Sequence, residues 1–164
     1  RFVKIESLRE GAVDQSKTAF ISQGCHEAFS RSQLKENDIL FSIAGALGLV
    51  ALVDSSVLPA NLNQALAVVR LKNVRSSNFL LHYLRSHIVQ SVVHRIGSGA
   101  AQPNVSLRQL GDFEVQLPDS AEQQKIAECP HSIAQTVASP LQSLSRLQPL
   151  AWGKKSACFK FPRK

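Results

Sequence analysis

Short apolar runs bounded by turn-forming residues fill the chain up to position 71, and a four-residue apolar repeat replaces them after position 78. Runs of β-branched and large apolar residues between Gly, Pro, Asn and Asp read as strands. Residues 2–5 and 18–22 are therefore expected to be short strands, separated by a polar, turn-prone stretch around Gly11 and Asp14. Residues 25–33 read as a short helix, and Glu36-Asn37-Asp38 as a turn. Two further runs, 39–43 and 49–53, flank a connection holding Gly45 and Gly48, a spacing that suits antiparallel strands. A loop with Pro59 leads into a strand at 65–71.

The repeat that follows is helical. Leu80, Leu84, Ile88, Val92 and Ile96 recur every four residues, with Leu81 and Val89 beside them. That spacing predicts one helix over 79–96, capped by Ser77 or Asn78, with its apolar stripe in the core. Residues 97–104 hold Gly97, Gly99 and Pro103 and cannot continue it. A helical turn at 106–110 and a strand at 113–117 come next, and Pro118 ends the strand. Asp119 or Ser120 then caps a helix through at least 128, with acids near its start where the helix dipole favours them. This order predicts an α+β fold: a mixed or antiparallel sheet with packed helices, followed by a C-terminal helical segment.

A chain of 164 residues, 44% apolar and 19% charged, suits one globular domain or a domain with an appendage. The longest apolar run, 39–53, is interrupted by Ser42, Gly45 and Gly48, so no membrane span is expected. Cys25, Cys129 and Cys158 show no C-x-x-C spacing, which argues against a disulfide framework and a zinc site. No secretory signal is visible, and the cytoplasm is the expected compartment. The sequence opens on Arg1 and contains no Met, as a fragment or trimmed product would.

Charge changes the picture through its location. The formal net charge is +7, and residues 151–164 carry Lys154, Lys155, Lys160, Arg163 and Lys164 without an acid. Between 55 and 111 no Asp or Glu occurs, whereas Arg70, Lys72, Arg75, Arg85, Arg95 and Arg108 do. A stretch of one sign projects the potential that a polyphosphate surface needs. Chance clustering on a solvated surface produces the same pattern.

Catalytic constellations are missing their second members. His26-Glu27 begins the zinc motif H-E-x-x-H, but Ser30 stands where the second ligand belongs. Gly97-Ser98-Gly99 starts like a dinucleotide loop, yet it follows a helix and Gln102 replaces the last glycine. His82, His87 and His94 are too far apart along one helix to share a metal. Asp119, Glu122 and Lys125 hint at a nuclease, but capping and i,i+3 pairing explain them without catalysis. There is no P-loop and no nucleophile with a visible base. No enzymatic activity, metal or cofactor is therefore expected.

Five blocks carry a resemblance. They are 38–45 (Asp-Ile-Leu-Phe-Ser-Ile-Ala-Gly) with Gly48; Asn61-Leu62-Asn63-Gln64-Ala65 with 67–70; and Phe79-Leu80-Leu81-His82-Tyr83-Leu84-Arg85-Ser86. The others are Gly97-Ser98 with 101–107 (Ala-Gln-Pro-Asn-Val-Ser-Leu), and 113–118 with Glu122-Gln123-Gln124-Lys125-Ile126-Ala127. In this order and spacing they resemble a target recognition domain of the type I restriction–modification specificity (S) subunit. The resemblance covers about residues 1–129.

It implies a DNA-reading module without catalytic machinery. Such a subunit usually holds two such domains separated by long helices that carry the methyltransferase subunits, and each domain reads half of a split site. The implied partners are double-stranded DNA and the methyltransferase (M) and restriction (R) subunits of the same system. The implied layout is a DNA target recognition domain at 1–118, the start of a helical region at 119–150, and a basic tail at 151–164. Arg70, Lys72, Arg75 and Arg95 are the expected phosphate contacts. Lys17, Arg31 and Lys35 lie where base-specific contacts are expected. Gln102 and Asn104 carry amides that pair with adenine edges, or equally with their own loop's backbone. Leu49 stands where relatives often carry a basic residue. Pro130, Pro140 and Pro149 break the long helix expected after 127, which puts the M contact in doubt. A competing reading is a protein-interaction module that has lost DNA readout.

Overall fold

In the computed structural model, which describes residues 1–97, 104–113, 115, 116, 118–128, 156 and 157, the central strand is buried along its whole length. The elements are β1 (Phe2–Val3), β2 (Leu8–Arg9), β3 (Gly11–Val13), α1 (Gln23–Ala28), β4 (Ile39–Ser42), β5 (Val50–Leu52), β6 (Asn61–Leu62) and β7 (Leu66–Val69). There follow α2 (Ser77–Arg85), α3 (His87–Gly97), α4 (Leu107–Gly111), β8 (Val115–Gln116), α5 (Ser120–Glu128) and β9 (Ser156–Ala157). Five strands form one sheet in the order β2-β3-β5-β4-β7; β3 and β5 run parallel and the other pairs antiparallel. The sheet is mixed and the fold α+β, as expected. β1 pairs with β6, and β8 with β9, in two small separate sheets.

Both faces of the sheet are covered, which explains why Ile39-Leu40-Phe41 of β4 read as an apolar run without alternation. Successive side chains on a strand point to opposite faces. Ile39 and Phe41, with Val50, Ala67 and Val69, pack against Phe79, Leu80 and Leu84 of α2 and Val89 and Val93 of α3. Leu40, Ala51 and Leu66 face the other way, onto Val3, Leu34, Val57 and Ala60. Each Val, Leu, Ile or Phe among them contributes about 1.5–3 kcal/mol on burial.

Three local expectations are corrected. The stretch around Gly11 is a hairpin: Leu8 pairs with Val13 and Arg9 with Ala12. Its turn residues Glu10 and Gly11 both have positive φ, as a type I′ hairpin requires. Strands of two and three residues are too short to display alternation, so the sequence showed only the turn. Of the expected strand at 18–22, only Ala19 pairs, in a single bridge to Phe2.

The helix expected over 79–96 is two helices. Ser86 caps α2 with extended backbone, at φ −65° and ψ 152°. The break resets the helical phase, so Val89 and Val93 are buried while Ile88 is left 43% exposed. Gln90 secures the break by donating from Nε2 to the Leu84 carbonyl at 2.8 Å.

The helical turn and the last helix form as read. Ser106 and Gln109 close a reciprocal capping box on α4. The long-helix question after 128 lies outside the described residues, as does the basic tail apart from β9. No described helix is long and apolar enough to cross a membrane.

Candidate nucleic-acid interface

Strand register places sequence-distant segments together. Ile39 pairs with both Leu52 and Val69, and Ala12 pairs with Leu52. Residues 14–17, 35–38, 54–57 and 70–72 therefore leave the same end of the sheet. Lys17, Lys35 and Lys72 are all exposed there. Ser30–Ser32, a short 3-10 turn bearing exposed Arg31, joins them, because Arg70 Nη2 donates to the Gln33 carbonyl next to that turn at 3.3 Å.

Acids stand among them: Glu36 is exposed beside Lys35, whereas Asp14, Asp38 and Asp54 are tied down. Asp38 is buried, and its carboxylate accepts from Nε and Nη2 of Arg70 at 2.6 Å each and from the Lys35 N–H at 2.7 Å. The bidentate pair raises the Arg70 guanidinium above its ordinary value and fixes the turn at 35–38 against β7. Asp14 and Asp54 each cap a 3-10 turn, accepting from the N–H of Ser16 at 3.0 Å and of Ser56 at 2.8 Å. Glu6 pairs with Lys4 at 2.6 Å.

These bonds make a pH prediction. Hydrogen bonds from Ser16 to Asp14, from Ser56 to Asp54 and from Lys4 to Glu6 hold the three carboxyls below their ordinary values of 3.8, 3.8 and 4.5. A depressed folded-state pKa gives stability that is present above the unfolded value and is lost as pH falls through the folded one. The urea midpoint is expected to hold from neutrality down to about pH 5 and to fall below about pH 4. A midpoint at pH 3 equal to that at pH 7 would contradict this.

Beside this end, buried Asn61 organises the segment that carries α1. Its Nδ2 donates to the Phe29 carbonyl at 3.1 Å and to Ser32 Oγ at 2.7 Å, and its Oδ1 accepts from His26 Nδ1. Its backbone N–H donates to the Arg1 carbonyl at 3.1 Å. The backbone at Arg1, α1 and the Arg31 turn is thus held on one polar node. Phe20 and Phe29, 78% and 61% exposed, project from this region.

The opposite end of the sheet carries the glycine connection. Ser42 Oγ donates to the Ala46 carbonyl at 2.5 Å and accepts from the Leu49 N–H at 2.8 Å, closing residues 42–49 into a tight loop. Gly45 and Gly48 adopt φ of +69° and +80°, which glycine adopts without strain. Asn104 is exposed and bridges to Ala44, and the Val105 N–H donates to the Ile43 carbonyl at 2.8 Å. Arg9 stands near this end, in a loose pair with Glu10 at 3.7 Å.

Residues 2–139 match the family described as type I restriction modification DNA specificity domain. The chain belongs to that family. It is 28% identical over 127 residues to the EcoBI specificity subunit of a type I restriction enzyme from Escherichia coli, a match covering 76% of this chain and 26% of that protein. The crystal structure of the HsdS subunit from Thermoanaerobacter tengcongensis superposes with a TM-score of 0.58 at 21% identity, over 89% of this chain and 37% of that one. The chain thus spans about a quarter of the length of the curated relative it matches.

In this specificity domain the expected site residues divide between two ends. Lys17, Arg31, Lys35, Arg70 and Lys72 converge at the Asp38 end, and the 3-10 turn Val74–Ser76, which includes Arg75, follows directly. Arg70 differs from the others, because two of its nitrogens are spent on Asp38. Asn104 belongs to the glycine-loop end. Arg95 is exposed on the last turn of α3, and Gln102 lies outside the described residues. The sequence places Phe20 in an expected strand between Ala19 and Ile21 and Phe29 in an expected helix between Ala28 and Ser30, where a ring is normally buried, and nothing there signals their exposure.

Proposed function

We propose that this domain reads duplex DNA in a sequence-specific manner as half of a type I specificity subunit. In that role it directs methyltransferase (M) and restriction (R) subunits to a bipartite site. One observation carries the reading: in a chain of this family, exposed Lys17, Arg31, Lys35 and Lys72 from four separate segments meet at one end of the sheet. Cations so placed contact phosphates and set register and orientation, so Lys17, Arg31 and Lys35 take that role in this reading instead of the base contacts expected of them from sequence. Arg75 and Arg95 extend that phosphate contact; the amides of Gln102 and Asn104 are candidates for base edges, which for Asn104 requires the duplex to reach the glycine-loop end of the sheet as well. The domain itself supplies no catalytic step and needs no cofactor; methyl transfer and cleavage belong to the partners.

The test is a salt titration of binding to unrelated duplexes. Each phosphate contact removed lowers the salt slope by about one. The triple variant Lys17→Ala, Lys35→Ala, Lys72→Ala is expected to lose about three from the slope, with similar loss on every sequence. An unchanged slope in the triple variant, or a parent chain whose binding ignores salt, would refute the reading. The second outcome is the one that a protein-interaction module would give.

A further inference from the structure

We propose that Phe20 and Phe29 form the apolar wedge of the DNA surface, entering a groove of the duplex and packing against a base step. This rests on the DNA reading above and deepens it. The two rings are the most exposed large apolar side chains among the described residues, at 78% and 61%. Both stand on fixed backbone. Phe29 donates its N–H to the Cys25 carbonyl at 3.0 Å, and its own carbonyl accepts from Asn61 Nδ2 at 3.1 Å and from the Ser32 N–H at 3.0 Å. Phe20 follows Ala19, whose N–H and carbonyl both pair with Phe2, at 3.0 and 2.7 Å. The Arg1 guanidinium carbon lies 5.9 Å from the centre of the Phe20 ring, and the Arg1 carbonyl accepts from the Asn61 N–H. Asn61, 1% exposed, therefore holds backbone beside both rings: the carbonyl of Phe29 itself, and the carbonyl of Arg1, whose guanidinium lies over the Phe20 ring.

The surroundings decide what these rings meet. A protein-docking patch is a contiguous apolar surface of several hundred Å². Here Ser22, Gln23, Ser30 and Arg31, all exposed, lie in sequence between or beside the rings. Glu27 is the acid of α1, and its carboxylate already accepts from Gln23 Nε2 at 2.8 Å. Isolated apolar wedges among hydroxyl, amide and cationic side chains are what a groove-reading surface uses: ring against base step, amide and hydroxyl to base edges, cation to phosphate. Unstacking a step differs in cost between sequences, so a rigid wedge confers selectivity that phosphate contacts cannot.

The experiment selects bound sequences from a random duplex library with the full chain and with the double variant Phe20→Ala, Phe29→Ala, alongside salt titrations of each. The double variant is expected to keep the parental salt slope and to lose enrichment of the selected sequences by about ten-fold or more, the scale of one mismatched base pair. Phe29→Trp retains an aromatic wedge and is expected to retain enrichment, which separates wedge loss from a folding defect. Unchanged enrichment in the double variant overturns the inference alone. A lowered slope with uniform loss on all sequences also overturns it, assigning the rings to support of the phosphate contacts. So does a parental dimer that the double variant converts to monomer with selection intact, which assigns the rings to a second copy of the chain. Absence of salt-dependent binding by the parent removes the DNA reading itself, and the wedge with it.

Discussion

Replacing Asp38 with alanine is expected to cost about 3 kcal/mol of folding stability, the low end of the range for breaking a buried ion pair. The carboxylate is 1% exposed and takes two charge-assisted bonds from Arg70 and one from the Lys35 N–H. Arg70 keeps 46% of its side chain exposed, so water partly compensates the freed guanidinium and the cost stays at that low end. For a domain of this size about 3 kcal/mol corresponds to a fall in Tm of roughly 6–12 °C. Arg70→Met leaves the carboxylate buried without its partner and is expected to cost about as much. In the double variant the losses should not add: a coupling of about 1–3 kcal/mol is expected for residues in one network. Additive losses in urea unfolding would show that the pair does not act as a unit. Because the pair clamps the turn carrying Lys35 against the strand leading to Lys72, either single variant should also weaken DNA binding at temperatures where it remains folded.

That clamp marks a limit of what the sequence displays. Arg70 reads as one cation in an acid-free stretch, and Asp38 as a turn residue 32 positions earlier. Only the register of β4 against β7, with Ile39 opposite Val69, brings them together. The buried strands were legible because residues covered on both faces leave an apolar run, as 39–41 and 66–69 do. The hairpin at 8–13 was not, since its strands are shorter than one period of alternation can reveal. The helix break at Ser86 was hidden for a different reason. A four-residue repeat continues through 88, 92 and 96, whereas the core accepts Val89 and Val93 once the phase is reset. Local pattern favours one helix, and packing against a sheet wins with two.

The candidate interface divides along the same line. Exposed lysines are recognisable as cations from sequence, but their convergence depends on a parallel pairing of β3 with β5 that no local pattern encodes. The parallel pair sends residues 14–17 and 54–57 out of the same end, and the antiparallel pairs add 35–38 and 70–72. Asn61 illustrates the reverse case. Its block is visible in the sequence, yet its role appears only when one side chain is seen to hold Phe29, Ser32 and His26 together.

Gly48→Ala is expected to cost about 3 kcal/mol, and its partner is Gln90 on α3. Part of the cost is intrinsic: φ is +80°, and placing an L-residue in the left-handed region costs roughly 1–2 kcal/mol. The rest is steric and polar. A methyl group at Gly48 would collide with Gln90 Oε1 and lie 3.2 Å from its Cδ. Gln90 cannot swing aside freely, because its Nε2 donates to the Gly48 carbonyl at 2.9 Å and to the Leu84 carbonyl at 2.8 Å. Losing that pair of bonds adds about 1–2 kcal/mol. In a Gln90→Ala background only the backbone strain remains, so Gly48→Ala should then cost about 1–2 kcal/mol. Gly45→Ala provides the contrast: φ is +69°, but the nearest atom is Ile5 Cδ1 at 3.3 Å on a flexible side chain, and about 1–2 kcal/mol is expected in either background. Urea unfolding of the four combinations at 48 and 90 measures the coupling, and an equal cost of Gly48→Ala with and without Gln90 would rule out the clamp. The same variants also test where the duplex lies. Gly48 and Lys72 leave opposite ends of the sheet, so a folded Gly48→Ala chain should keep the parental salt slope that Lys72→Ala lowers; a fall with Gly48→Ala and none with Lys72→Ala would move the DNA to the glycine-loop end, beside Asn104.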